Sequence, residues 1–145
     1  MITCQIGELL AEDAVLVEEA RKATELSYAP YSDFHVGAAV LLSNGEVVKG
    51  ANQENASYPC GICAERSALA TAQNVFPDVP VVAIALAARR GAVITTEPVT
   101  PCGMCRQVIA ETQKRYQSDI RILMTSSDRV VIANSITELL PLSFI

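Results

Sequence analysis

The sequence predicts an α/β fold: one domain over residues 1–145, a three-layer α/β/α sandwich around a mixed sheet of about five strands. Three observations predict it. Apolar residues recur at helical spacing in three long stretches, and short β-prone runs fall between them. No repeat, low-complexity tract or Pro/Gly-rich linker divides the chain, so helices and strands share one core.

The elements follow in order. From Glu8 to Ser27, Leu9, Leu10, Ala14, Leu16, Val17, Ala20, Ala23 and Leu26 form an apolar stripe among charged residues, an amphipathic helix closed by Pro30. Phe34 to Val40 and Glu46 to Ala51 flank Ser43-Asn44-Gly45, an Asn-Gly hairpin signal. Cys63 to Phe76 reads as a helix ended by Pro77. Val81 to Ala87 is continuously apolar and short, the mark of a buried central strand. Pro101 opens a helix from Cys102 to Tyr116, because proline is tolerated where the missing N–H has no partner to lose. Ile120 to Thr125 and Val130 to Ala133 read as strands, and Ile136 to Leu140 as a short closing helix.

Composition narrows the function. Half the residues are apolar, 19% are charged, and the formal net charge is −5. A protein living on phosphate contacts carries a basic face. Here the 11 basic residues are scattered, with no cluster larger than Arg89-Arg90. The expected partner is therefore a small molecule and not a nucleic acid polymer. The N-terminal residues show no basic region followed by an apolar run, and the most apolar stretch, Val79 to Ala88, is too short to cross a bilayer. These features predict a soluble cytoplasmic protein without membrane association. In a reducing compartment the five cysteines, an odd number, point to metal binding or catalysis rather than disulfides.

Cys102 and Cys105 are three residues apart at a helix start, so one turn puts both sulfurs on one face. The unpaired N–H groups and the dipole there favour thiolate. Cys63 also begins a helix and supplies a third thiolate. Three protein ligands with an open fourth position describe a catalytic zinc, whereas four describe a structural one. Glu65 follows Cys63 by two residues. In mid-helix it would point to the far side, but at an irregular helix start it can stand beside the metal without binding it. An open zinc lowers the pKa of water towards about 7, and a neighbouring carboxylate can carry the proton. Three thiolates leave the zinc centre formally negative, so Arg66 is the expected counter-charge, hydrogen-bonded to the sulfurs.

Four motifs then resemble the small, homotetrameric cytidine deaminases over nearly the whole chain. They are Tyr31-Ser32-Asp33-Phe34-His35-Val36-Gly37-Ala38-Ala39, Asn52-Gln53-Glu54-Asn55-Ala56-Ser57-Tyr58-Pro59, Cys63-Ala64-Glu65-Arg66, and Pro101-Cys102-Gly103-Met104-Cys105-Arg106-Gln107. The resemblance implies a cytidine deaminase-like fold and a homotetramer. It implies one Zn²⁺ per subunit on Cys63, Cys102 and Cys105, with Glu65 shuttling protons during hydrolysis of cytidine and 2′-deoxycytidine in pyrimidine salvage. It further implies that Asn52 and Glu54 bind the ribose 3′-hydroxyl, that Phe34 packs on the pyrimidine, and that the backbone around Ala64 reads the base edge. Ala56, Tyr58 and Phe144 would reach a neighbouring subunit's pocket. Three departures bear on substrate preference more than on reaction type: Gln53, Met104, and a longer loop from Arg89 to Thr100.

Other readings stand beside this one. Cys60-Gly61-Ile62-Cys63 with Cys102-Gly103-Met104-Cys105 also spells a structural Cys₄ zinc module for protein assembly. A deaminase of a cytosine-containing antibiotic would share the metal site. Asn52 and Glu54 would serve equally to organise a turn, and His35, the only histidine, reads as a hydrogen-bonded or exposed side chain.

Overall fold

The computed structural model describes residues 1–144. Its elements are β1 (Ile2–Gln5), α1 (Ala11–Ala23), β2 (Phe34–Leu42), β3 (Val47–Ala51), α2 (Ala64–Val75), β4 (Val81–Arg90), β5 (Val93–Ile94), α3 (Gly103–Tyr116), β6 (Arg121–Thr125) and β7 (Arg129–Ala133). The strands lie in the order β1-β7-β6-β4-β2-β3, with β5 paired to the far end of β4. Every pairing is antiparallel except β4 with β6, whose chain connection passes through α3. A parallel pair requires such a crossover.

Alternation along the strands builds the three layers. Ala39 and Leu41 of β2 and Ala83, Ala85 and Ala87 of β4 face Leu16, Val17 and Ala20 of α1. Their neighbours Ala38, Val40, Leu42, Ile84 and Leu86 face Ala64, Ala68 and Leu69 of α2 and Ile109 of α3. Two glycines let backbones close in. A Cβ at Gly37 would lie 2.2 Å from the Ala20 carbonyl of α1, and one at Gly50 would lie 2.5 Å from the Ala68 nitrogen of α2. The hairpin turns at Gly45, whose φ of +87° suits glycine. Its Asn44 side chain accepts from the Glu46 N–H at 3.0 Å.

All five expected strands are present, and two more enlarge the sheet to seven. β1 pairs with β7 through Ile2↔Ile132 to Gln5↔Arg129, a partnership made across almost the full chain length. β5 corrects the reading of residues 89–100 as a loop. β4 runs on to Arg90, turns at Gly91 (φ +56°), and pairs Arg89↔Ile94 and Arg90↔Val93. Beyond it, hydrogen bonds from Ser127 N to Thr95 O (2.8 Å) and Val99 N to Thr125 O (3.1 Å) fasten the segment to the β6–β7 end. The first helix is shorter than Glu8–Ser27, with 3-10 turns at Ile6–Glu8 and Thr24–Leu26 flanking α1. The closing helix is one 3-10 turn, Ile136–Glu138.

Candidate functional site

Two helix starts converge on one point. Cys63 caps α2 with extended backbone (φ −75°, ψ 156°), and Cys102 caps α3 in the same way (φ −67°, ψ 168°). Neither sulfur makes a capping hydrogen bond to its helix's backbone, so both are available elsewhere. Cys105, the third residue of α3, is fully buried. The sulfurs of Cys63 and Cys102 are 3.9 Å apart, those of Cys102 and Cys105 are 3.5 Å apart, and all three lie within 4.8 Å of one another. Zinc–sulfur bonds of about 2.3 Å in a tetrahedron put sulfurs about 3.8 Å apart, so the triangle fits zinc. Among the described residues this is the only such cluster of three or more potential ligands. Cys60, exposed in the 3-10 turn Tyr58–Cys60, falls outside it, and the Cys₄ reading loses its fourth sulfur.

The electrostatics favour a cation at the centre. A hydrogen bond from the Cys105 thiol, helped by the Arg66 guanidinium and by Cys102, pulls the Cys63 thiol down to about 5 despite partial burial. The same pairing with Cys63, together with burial and the Glu65 charge, pushes the Cys105 thiol up. A coordinated dication would deprotonate all three. The Nη2 of Arg66 lies 3.9 Å from Cys63 Sγ, and its Nε is buried without a hydrogen-bond partner among the described residues.

Glu65 is the second residue of α2 and only 4% exposed. Burial raises its carboxyl above the usual range, and the nearby Cys63 charge adds to that, while its own backbone N–H and the Cys105 thiol oppose. A carboxyl raised in this way holds a proton more readily than an exposed one, which suits a general acid–base group.

A cavity of about 600 Å³ opens beside Cys63, with Asn52, Glu54, Tyr58, Cys63, Arg66 and Met104 among its walls, while Ala64, Glu65, Cys102 and Cys105 lie outside them. Asn52 is held at three points. Its Oδ1 accepts from Val36 N (2.9 Å) and Ser27 Oγ (2.5 Å), and its Nδ2 donates to Phe34 O (2.9 Å). Glu54 accepts from Tyr31 N (2.9 Å), Ser32 N (3.2 Å) and Ser32 Oγ (2.7 Å). The Ser32 hydroxyl leads these in holding the Glu54 carboxyl below its ordinary value. Gln53 also lines the cavity, and its side chain donates to Leu26 O at 3.0 Å.

Phe34 is half-buried beneath the Arg90 guanidinium, 5.2 Å from its ring centroid, and lies outside the cavity walls. Ala64, the first residue of α2, is buried. Ala56 and Tyr58 are exposed, Tyr58 at 81%, and of the two only Tyr58 lines the cavity. The Phe144 side chain is 85% exposed, although its backbone is paired by the Gln107 amide (2.8 and 3.2 Å). Tyr31 and Ile62 join the cavity and Ser27 and Ser32 its supports without having been singled out. Motif adjacency marks Tyr31 and Ser32; nothing local marks Ser27.

The family model for the cytidine and deoxycytidylate deaminase zinc-binding region matches residues 10–117. The chain belongs to the cytidine and deoxycytidylate deaminase family. A cytidine deaminase of Halalkalibacterium halodurans is 43% identical over 130 residues, 90% of this chain and 92% of that protein. Another, from Sporosarcina psychrophila, is 38% identical over 133 residues, 89% of this chain and 88% of that one. The crystal structure of cytidine deaminase from Burkholderia pseudomallei superposes with a TM-score of 0.76 at 40% identity, covering 90% of this chain and 97% of that one. As a member of this deaminase family the protein is a zinc-binding hydrolase, and the three-sulfur triangle matches that chemistry. No helix among the described residues is long and apolar enough to cross a membrane.

Proposed function

We propose that the protein hydrolyses the 4-amino group of free cytidine and 2′-deoxycytidine, releasing ammonia and the uridine nucleoside in pyrimidine salvage. The observation that carries this reading is a triangle of three sulfurs that fits a zinc, with a buried carboxyl, Glu65, interacting with two of them, Cys63 and Cys105. Cys63, Cys102 and Cys105 are the ligands. Zinc bound there supplies Lewis acidity that makes water a competent nucleophile at neutral pH. Glu65 takes one proton of the attacking water and delivers it to ring N3 as the C4–O bond forms; it then takes the proton of the new C4 hydroxyl and passes it to the amine as the C4–N bond breaks, leaving the C4 carbonyl and ammonia. Burial raises the Glu65 carboxyl, which favours its uptake of a proton. Arg66 offsets the sulfur charge.

Asn52 and Glu54, both on the cavity wall, take the ribose 3′-hydroxyl. Phe34 packs on the pyrimidine, and the Ala64 backbone reads the base edge. In a homotetramer, Ala56, Tyr58 and Phe144 of one subunit complete a neighbour's pocket; the support is two large aromatic side chains left in solvent. Five unpaired cysteines and an acidic balance support a cytoplasmic site of action on small molecules rather than on polymers.

Ultraviolet monitoring with cytidine, paired with metal analysis, tests the core of this reading. Glu65→Gln should keep one zinc per chain and lose about 10²–10⁴-fold in turnover, the usual worth of a proton carrier. Undiminished turnover in that variant would end the mechanism. Preference for a cytosine-containing antibiotic over cytidine would redirect the substrate assignment, and light scattering reports the tetramer.

A further inference from the structure

The chain's single histidine occupies the second position of β2 and makes two polar contacts. Its Nδ1 is 3.0 Å from Ser27 Oγ and its Nε2 is 3.1 Å from Asp33 Oδ1. Beyond Ser27 the chain of contacts continues to Asn52, because Ser27 Oγ lies 2.5 Å from Asn52 Oδ1.

The direction of each bond can be worked out from the Asn52 end. That amide cannot be turned over. A backbone N–H, from Val36, points at one side of it, and a backbone carbonyl, of Phe34, receives from the other. Asn52 therefore presents an oxygen to Ser27, and an oxygen can only accept. The one hydroxyl proton of Ser27 is committed to it. Towards His35 the hydroxyl has only lone pairs to offer, so His35 Nδ1 must be the donor. Asp33, as a carboxylate, also only accepts, so Nε2 donates whenever that contact is made.

The Asp–His–Ser sequence of contacts has the order of a nucleophilic triad but the opposite polarity. In a triad the imidazole accepts the hydroxyl proton. Here the imidazole donates to the hydroxyl, whose own proton faces an amide. Ser27 is not activated as a nucleophile; it is clamped.

We propose that His35 is a positioning residue which, donating from Nδ1, locks the Ser27 hydroxyl onto Asn52 and thereby fixes that amide at the cavity wall. With Oδ1 filled by two donors and one Nδ2 proton held by Phe34 O, Asn52 keeps a single N–H free. It is thus a directed donor, suited to a sugar hydroxyl oxygen and unsuited to accepting from one. This rests on Asn52 being the ribose ligand, as proposed above.

The test uses the full-length zinc enzyme labelled with ¹⁵N, in which one histidine gives one pair of ring nitrogens. At a pH where the ring is neutral, Nδ1 should carry the proton; a proton on Nε2 with bare Nδ1 overturns the proposal. In kinetics, His35→Leu should raise KM for cytidine about fivefold, the worth of one hydrogen bond, while kcat and zinc content stay at wild-type values. His35→Gln, which restores an N–H towards Ser27, should recover most of the loss. Adding His35→Leu to Ser27→Ala should cost nothing more, because both act through one bond. Unchanged KM in His35→Leu where Asn52→Ala raises it also overturns the proposal. If Asn52→Ala itself leaves KM unchanged, the ribose reading fails instead, and the tautomer alone decides whether His35 holds the amide.

Discussion

Around the cavity, the sulfur wall at the starts of α2 and α3 and the polar rim at residues 52–54 differ in how many partners each polar atom already has. On the sulfur wall the thiols contact chiefly one another, the Arg66 Nε has no partner among the described residues, and Glu65 is buried with its ionised form disfavoured. At the rim Asn52 makes three hydrogen bonds and Glu54 accepts three, all from the surrounding chain. The fold has therefore prepared the rim in advance, whereas the sulfur wall retains unspent coordinating capacity. Damage to the first should appear in binding and stability. Damage to the second should appear in metal content and turnover.

That contrast can be broken most forcefully at Cys105. Replacing this fully buried cysteine of the triangle in Cys105→Ala should leave almost no zinc on the dialysed protein and abolish turnover with it. Metal analysis showing full occupancy would mean the triangle is not the binding site. Arg66→Gln comes next. Losing the guanidinium beside Cys63 should weaken zinc retention about 10–100-fold against a chelator while preserving the fold. Equal retention would return Arg66 to an ordinary surface charge.

The rim should respond differently. Asn52→Ala strips partners from Val36 N, Phe34 O and Ser27 Oγ, which should cost about 1–3 kcal/mol in urea unfolding with zinc still bound. A loss of metal instead would erase the distinction between the two walls. The smallest effect belongs to Glu54. Its carboxyl is held below the ordinary value, so its contribution to stability is complete above that value and fades as pH falls through the lowered one. The Tm gap between wild type and Glu54→Gln should accordingly be widest near neutrality and close in acid; a gap independent of pH would remove the charge from the explanation.

Much of this was legible in the chain itself, where the determinants are local. The Asn44-Gly45 turn, the continuous apolar run of β4 and the proline before α3 each carry their own backbone logic. The strands that escaped notice lack it. β1 has four residues with no burial alternation and exists because β7 supplies an edge from the other end of the sequence. β5 is two residues long and exists because β4 extends three residues past Ala87 to reach it. The site divides in the same way. Cysteine spacing and the neighbouring Glu65 and Arg66 declare the metal centre within short stretches. The clamp on Asn52 joins residues 27, 35 and 52, whose proximity arises only when β2 lies beside the end of α1 and the strand that follows. Phe34 under Arg90 likewise needed the β2–β4 register, Phe34↔Arg90, to be visible.

Position 50 carries a last consequence. Helix α2 beds directly onto bare backbone there, with the Ala64 carbonyl and Ala68 nitrogen 2.9 and 2.5 Å from where a Cβ would stand. A single methyl at that spot would act as a shim, lifting the front of α2 while α3 stayed seated. Cys63 and Glu65 would rise together, and the sulfurs of Cys102 and Cys105 would be left behind. The spacing of the three sulfurs is thus gauged from the floor beneath the helix, by one hydrogen atom standing where every other residue would place a carbon.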